Sequence, residues 1–276
     1  EFRRVLFRSR LPRERTLYRK KSGTVADKQA IASYVDKAFI VQSLDDNFNV
    51  RRVERFMVQI MEENISSVLV LNKADLDFDR QSVEEQIKHI SSQIPVFFTS
   101  IHQLETIVRL RKSISEGETV VFVGSSGVGK SSLVNALCEK PVLLTSDISL
   151  STGKGRHTST RREMVLMDSS GVLIDTPGVR EFGLAIDNPD SLAEVLEISD
   201  YAELCRFKDC KHINEPGCAV IEAVNSGALD SKVYASYLKL RREAWHFSAS
   251  EHEKRKKEKS FTKLVEEVKN RKDASR

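Results

Sequence analysis

The chain has 276 residues, 40% of them hydrophobic and 7% aromatic, which is enough apolar side chain to bury a core and excludes a wholly disordered protein. No apolar run approaches the roughly 18–20 residues of a membrane-spanning helix, so an integral membrane protein is excluded and no membrane partner is expected. The net charge of +4 is unevenly spread, with +7 on residues 1–21, +4 on residues 251–276 and −7 between them, so an acidic body carries basic ends that suit solvated tails or phosphate-backbone contacts.

Taken in chain order, residues 1–9 (EFRRVLFRS) lack an initiator Met and resemble a translated sequencing adapter, so they are set aside from fold reasoning. No apolar stretch follows this basic start, which argues against a secretory signal and for a cytoplasmic protein. Residues 10–30 are polar, basic and without a period, and read as a linker remnant. Short apolar runs at 38–43, 67–72, 95–100, 119–124 and 171–175 then predict buried strands. Helical spacing at 49–64, 81–92, 104–110 and 130–139 fills the gaps between the first four strands and follows the fourth. Strands alternating with helices imply an α/β fold with a parallel sheet covered on both faces. After about residue 198 the strands stop, and helices are expected near 218–226 and 230–246, followed by a charged tail from 251.

The strongest motif is the run Gly124, Ser125, Ser126, Gly127, Val128, Gly129, Lys130 and Ser131, which fits GxxxxGKS between a predicted strand and a predicted helix, with Ser132 next in line. Glycines let such a loop wrap a phosphate, backbone N–H groups at the helix start point at the anion, Lys130 reaches the terminal phosphates and Ser131 offers a hydroxyl to Mg²⁺. The base is chosen elsewhere. Asn72, Lys73, Ala74 and Asp75 end a predicted strand. The carboxylate of Asp75 can accept from the N1–H and N2 amine of guanine, a donor pair that adenine lacks. Lys73 can lay its stem across the purine, and Asn72 is expected to tie this loop to the phosphate loop. Ser100, closing the third strand, can offer a main-chain N–H to guanine O6. Asp175 and Gly178 fit DxxG, with Asp175 toward Mg²⁺ and the Gly178 N–H toward the γ-phosphate. Thr158 or Thr160 can supply a second hydroxyl to Mg²⁺. The guanine motif precedes the phosphate loop, so the set is complete but circularly permuted, an arrangement tolerated when cuts fall in surface loops.

Of four cysteines, three crowd into residues 205–218. Cys205, Cys210, His212 and Cys218 supply three thiolates and an imidazole, the ligand set of a closed structural zinc site, while Cys138 reads as a core residue.

The permuted motifs, the strings GRHTST (155–160) and DTPGVREFGL (175–184) and the downstream Cys/His cluster together resemble the RsgA family of small-ribosomal-subunit biogenesis GTPases. The resemblance implies hydrolysis of GTP to GDP and phosphate, stimulated by the small subunit during its late maturation. It also implies contact with rRNA, Mg²⁺ with the nucleotide, and an N-terminal OB-fold ahead of the GTPase and zinc domains. No room for an OB-fold exists before residue 30, so the chain reads as N-terminally truncated. The expected division is a leader and linker at 1–28, a permuted GTPase domain at 29–198 and a zinc-binding helical domain with a basic tail at 199–276, in a monomer. The residue after the DxxG glycine is Val179, where many GTPases place a water-orienting Gln. His157 is the candidate to take over that task. The other reading is a nucleotide-gated ribosome- or RNA-binding scaffold whose hydrolysis is incidental.

Overall fold

The computed structural model describes residues 12–21, 27–143, 162–168, 171–178, 183–186, 190–249, 252–253 and 255–256. The candidates His157, Thr158 and Thr160, together with Val179, lie outside the described residues.

Two short strands, β1 (Leu17–Lys20) and β2 (Lys28–Ala32), come first and pair antiparallel. This corrects the reading of residues 10–30 as a patternless linker. The strands are only four and five residues long and rich in basic side chains, so period-2 alternation is hard to see. Their anchors are Leu17 and Ile31, both buried in the main core.

The main sheet follows. Its strands are β3 (Lys37–Ser43), β4 (Ser66–Asn72), β5 (Val96–Thr99), β6 (Thr119–Val123), β7 (Glu163–Leu166) and β8 (Val172–Asp175), in the spatial order β5-β4-β3-β6-β8-β7. All neighbours run parallel except β7, which pairs antiparallel with β8 at the edge. β7 was not foreseen. Its side chains are largely exposed, as suits an edge strand, and its apolar run, Met164 to Met167, is only four residues long and flanked by charged side chains.

Helices α1 (Val50–Glu62), α2 (Arg80–Gln86), α3 (Lys88–Ser91), α4 (Leu104–Lys112) and α5 (Lys130–Leu137) connect the strands. The helix expected at 81–92 is divided at Ile87, a buried residue between α2 and α3. Side chains alternate in β3, so Ala38 and Ile40 face one layer while Phe39 and Val41 face the other. The first layer is built on α1, through Val53, Phe56, Met57 and Ile60. The second is built on α4 and α5, through Ile107, Leu110, Leu133 and Val134. Burial on both faces is why these strands read as unbroken apolar runs.

Beyond the sheet come α6 (Asp190–Val195), α7 (Ser199–Ala202), α8 (Ala219–Ser226) and α9 (Ser231–Ser248). Val220, Tyr237, Leu240 and Ala244 join the same core as α1. The contact includes a buried polar knot in which the Glu54 carboxylate on α1 accepts from the Ser236 hydroxyl on α9 and meets His89 Nε2 at 3.0 Å.

Candidate nucleotide site and metal centre

The motifs gather at the C-terminal ends of β3, β4, β6 and β8, the edge at which open α/β sheets take ligands. At the N-terminus of α5 the loop from 124 to 129 curls back on itself. Gly129 has φ +92°, and a Cβ there would lie 2.3 Å from Asn72 Nδ2. That same Nδ2 donates to the carbonyl of Val128 at 2.9 Å, and Thr99 donates to Asn72 Oδ1 at 3.3 Å. Asn72 therefore bonds both to the phosphate loop and to the neighbouring strand end.

Lys130 is buried and its ammonium donates to the carbonyls of Gly124 and Ser125, at 3.1 and 2.9 Å. Burial pulls its pKa down from the usual lysine range to about 8, opposed by nearby Asp175. Ser131 donates to Asp175 Oδ2 at 2.6 Å. The other oxygen, Oδ1, is buried with no hydrogen-bond partner among the described residues. Burial raises the pKa of this carboxyl, against the Ser131 hydrogen bond and the charge of Lys130. An orphaned buried oxygen beside a hydroxyl is a donor set that fits a hard divalent cation such as Mg²⁺. Gly178 lies against the loop, since a Cβ there would meet the Ser126 Cα at 2.5 Å. Ser132 follows on the first turn of α5, half-buried.

On the base side, Lys73 has φ +61° and pairs with Asp45 Oδ2 at 2.8 Å. Asp45 Oδ1 accepts from the Ser43 hydroxyl at 2.6 Å and from the Asn47 N–H at 3.0 Å. Asp75 is exposed, and a hydrogen bond from the Ser100 hydroxyl holds its carboxyl below the usual range. The Ser100 main-chain N–H, expected to face guanine O6, donates instead to Thr106 Oγ1 at 3.0 Å. Ser100 is fully buried beneath Asp75, so its hydroxyl orients that carboxylate.

Asp45 and Arg52 join the site without having been singled out in the sequence. Asp45 and Arg52 come from the loop and helix after β3, a strand end with no motif of its own. Their signal is position alone, beside the C-terminal end of a buried parallel strand.

The metal candidates also converge. Cys205, Cys210, His212 and Cys218 place their ligand atoms within 4.8 Å of one another. His212 Nδ1 is 3.5 Å from the sulfurs of both Cys205 and Cys218, and those sulfurs are 3.9 Å apart. Tetrahedral zinc with bonds of about 2.3 Å to sulfur and 2.0–2.1 Å to nitrogen requires edges of about 3.5 and 3.8 Å, which these separations match. Burial, with the nearby Arg241 charge, pushes the pKa of His212 down and keeps the imidazole in its neutral ligating form. Burial also pushes the Cys218 thiol up to about 11. The Glu215 carboxylate accepts from the main-chain N–H groups of Lys211, Ile213 and Asn214, which fixes the turn around His212. Cys138 is buried in the second layer as a core residue.

Among the described residues no helix is long and apolar enough to cross a membrane. A family model described as RsgA GTPase matches residues 10–185. An ABC transporter model matches residues 107–272, a span that contains the phosphate loop but not residues 72–75. A small ribosomal subunit biogenesis GTPase RsgA 1 from Bacteroides thetaiotaomicron is 83% identical over 262 residues, covering 95% of this chain and 74% of that protein. An RsgA from Leptospira interrogans is 38% identical over 93% of this chain and 73% of its own. Among solved structures, YjeQ from Thermotoga maritima superimposes with a TM-score of 0.62 at 27% identity, over 85% of this chain and 76% of that one. YloQ, described as a circularly permuted GTPase, gives 0.59 at 27% identity, over 78% and 69%. With the permuted order of motifs, the phosphate loop at a helix start and these relatives agreeing, the chain belongs to the RsgA GTPase family and is a hydrolase of GTP.

Proposed function

We propose that this GTPase acts in late maturation of the small ribosomal subunit, cycling in the cytoplasm as a monomer, with turnover stimulated by that subunit and its rRNA. The observation that carries this reading is the 83% identity to a protein named for small-subunit biogenesis, over nearly the whole of this chain. The charge pattern agrees, because basic ends on an acidic body suit contact with a phosphate backbone.

Within the site, the 124–132 segment cradles the phosphates, Lys130 meets the terminal ones, and Asp75 reads the guanine edge with Lys73 across its face and Asn72 joining the two loops. Gly178 senses the γ-phosphate. Ser131 and Asp175 hold Mg²⁺, which screens phosphate charge when bound; Thr158 or Thr160 adds a further hydroxyl. Cys205, Cys210, His212 and Cys218 hold one structural zinc. His157 orients the attacking water in place of the residue that is Val179 here. The boundaries follow as 29–198 for the GTPase domain and 199–276 for the zinc domain.

The test is GTP turnover by the purified chain, with ATP as control, with and without purified small subunits. Strong stimulation for GTP alone is the expected result, lost on His157→Ala while GTP binding persists. Equal turnover with and without subunits, in a chain that still binds GTP, overturns the ribosomal role. It favours a scaffold with incidental hydrolysis if subunits still bind in a nucleotide-dependent way.

A pH dependence follows from Lys130. Its folded pKa of about 8 in the free protein means that the cation is present below pH 8 and is lost above it. A phosphate favours the charged form, so binding above pH 8 must take up a proton, and affinity falls by up to tenfold per unit. GDP affinity measured by calorimetry is therefore expected to be about tenfold weaker at pH 9 than at pH 7, with proton uptake on binding. A flat profile with no proton uptake contradicts this assignment.

A further inference from the structure

We propose that Arg52 is a catalytic residue of this GTPase, an arginine supplied from within the chain to the terminal phosphate of GTP.

Arg52 stands on the first turn of α1, where the Asn49 side chain caps the helix by accepting from the Arg52 N–H. Its side chain crosses to the phosphate loop. Nη1 lies 3.1 Å from Ser125 Oγ, 3.1 Å from the Asn47 carbonyl and 3.5 Å from Gln42 Oε1. All three acceptors are neutral and all are met by one nitrogen. Nε and Nη2 carry no hydrogen bond to a described residue, and no carboxylate among the described residues pairs with this guanidinium. The group is half-buried, and burial lowers its pKa, yet an arginine stays charged at any working pH. A partly desolvated cation without a counter-charge is unfavourable until an anion arrives. Beside it the buried Nε2 of Gln42 also lacks a partner among the described residues, a second unsatisfied donor at the same place.

The location specifies the anion. Ser125 directly precedes Ser126, against which Gly178 packs. The guanidinium and the DxxG glycine thus flank consecutive residues of one loop, whereas Lys130 lies folded onto the loop's carbonyls. In hydrolysis the water oxygen bonds to the γ-phosphorus while the bond from that phosphorus to the β–γ bridging oxygen breaks. The electron pair stays on the β-phosphate, and the water proton ends on inorganic phosphate or solvent. Negative charge builds on the bridging and γ-oxygens, where an arginine supplied in cis or by a partner is worth about 10³–10⁵ in rate in other GTPases. Val179, after the DxxG glycine, has no polar group for that charge.

This inference rests on GTP hydrolysis by the chain and not on its ribosomal role. The test measures affinity for GDP and for a slowly hydrolysed GTP analogue, together with basal single-turnover hydrolysis, in the full chain and in Arg52→Gln and Arg52→Lys. Gln keeps a polar, hydrogen-bonding side chain but removes the charge; Lys keeps the charge without the planar fork. The expected result for Arg52→Gln is GDP affinity within about twofold of the parent, analogue affinity about tenfold weaker, and hydrolysis slower by about tenfold or more. Arg52→Lys should recover affinity for the analogue more than it recovers rate. Equal weakening toward GDP and the analogue would show that Arg52 only holds Ser125 in place and would overturn the proposal, as would an unchanged rate. Failure of the parent chain to bind either nucleotide overturns the GTP site itself, and this proposal with it. Arg52→Lys keeps the comparison decisive if Arg52→Gln does not fold.

Discussion

Replacing Gly129 with alanine should weaken guanine-nucleotide binding by about 10²-fold or more while the chain stays folded. The backbone at Gly129 has φ +92°, and an added Cβ would sit 2.3 Å from Asn72 Nδ2. Asn72 cannot step aside, because Nδ2 is bonded to Val128 and Oδ1 to Thr99, with the residue itself buried. The methyl group therefore breaks the tie between base loop and phosphate loop, and adds about 1–3 kcal/mol of backbone strain. Gly127 is the matched comparison. It has φ +82° but open space around its added Cβ, so only strain applies. Titration with a fluorescent GDP analogue should show a loss of about 10²-fold or more for Gly129→Ala and about tenfold for Gly127→Ala, with far-ultraviolet circular dichroism retained by both. Equal effects of the two would remove Asn72 from the account.

Cys210→Ser, or treatment with a strong chelator, removes the metal and lowers the melting temperature of the whole chain. Three thiols and an imidazole within 4.8 Å of one another are the ligand set of a closed metal site, and metal bound there contributes directly to folding free energy. Helices α8 and α9 bury Val220, Leu240 and Ala244 in the core they share with α1, so loosening the metal knuckle is felt under the sheet. Loss of a metal site of this kind costs about 3–5 kcal/mol, or on the order of 10 °C in a chain of this size. Elemental analysis of the parent chain should return one zinc per molecule. A parent chain that holds no metal, or that melts unchanged in chelator, contradicts the zinc reading.

The sheet and the main site were legible because both are written locally. Buried strands such as residues 37–43 and 66–72 are apolar on both faces and so stand out as runs. The phosphate loop needs glycines at fixed offsets, and the zinc knuckle needs four ligands within fourteen residues. What escaped was non-local or weakly apolar. Leu17 and Ile31 are the only buried side chains of β1 and β2, and β7 lies exposed at an edge. Asp45 and Arg52 reach the site from a loop and a helix start whose spacing matches no motif, and only the neighbouring strand ends bring them to Lys73 and Ser125. Ser100 was found for a main-chain contact, but it is the hydroxyl that meets Asp75.

The seam between β3 and β6 divides the sheet into two blocks that are each continuous in the chain, β3-β4-β5 before it and β6-β8-β7 after it. The first block carries Asn72, Lys73 and Asp75; the second carries Lys130, Ser131 and Asp175. During synthesis the base-reading block emerges whole before any phosphate ligand exists. At about 5–20 residues per second, the 32 residues from Thr99, the end of β5, to Ser131 take roughly 2–6 s to follow. For that interval the nascent half-sheet must persist without help from nucleotide, with the β6-facing edge of β3 unpaired, and α1 is the helix already available to cover one of its faces. GTP then enters at the end of assembly, bridging two pieces made in sequence and favouring only chains in which the second has docked on the first.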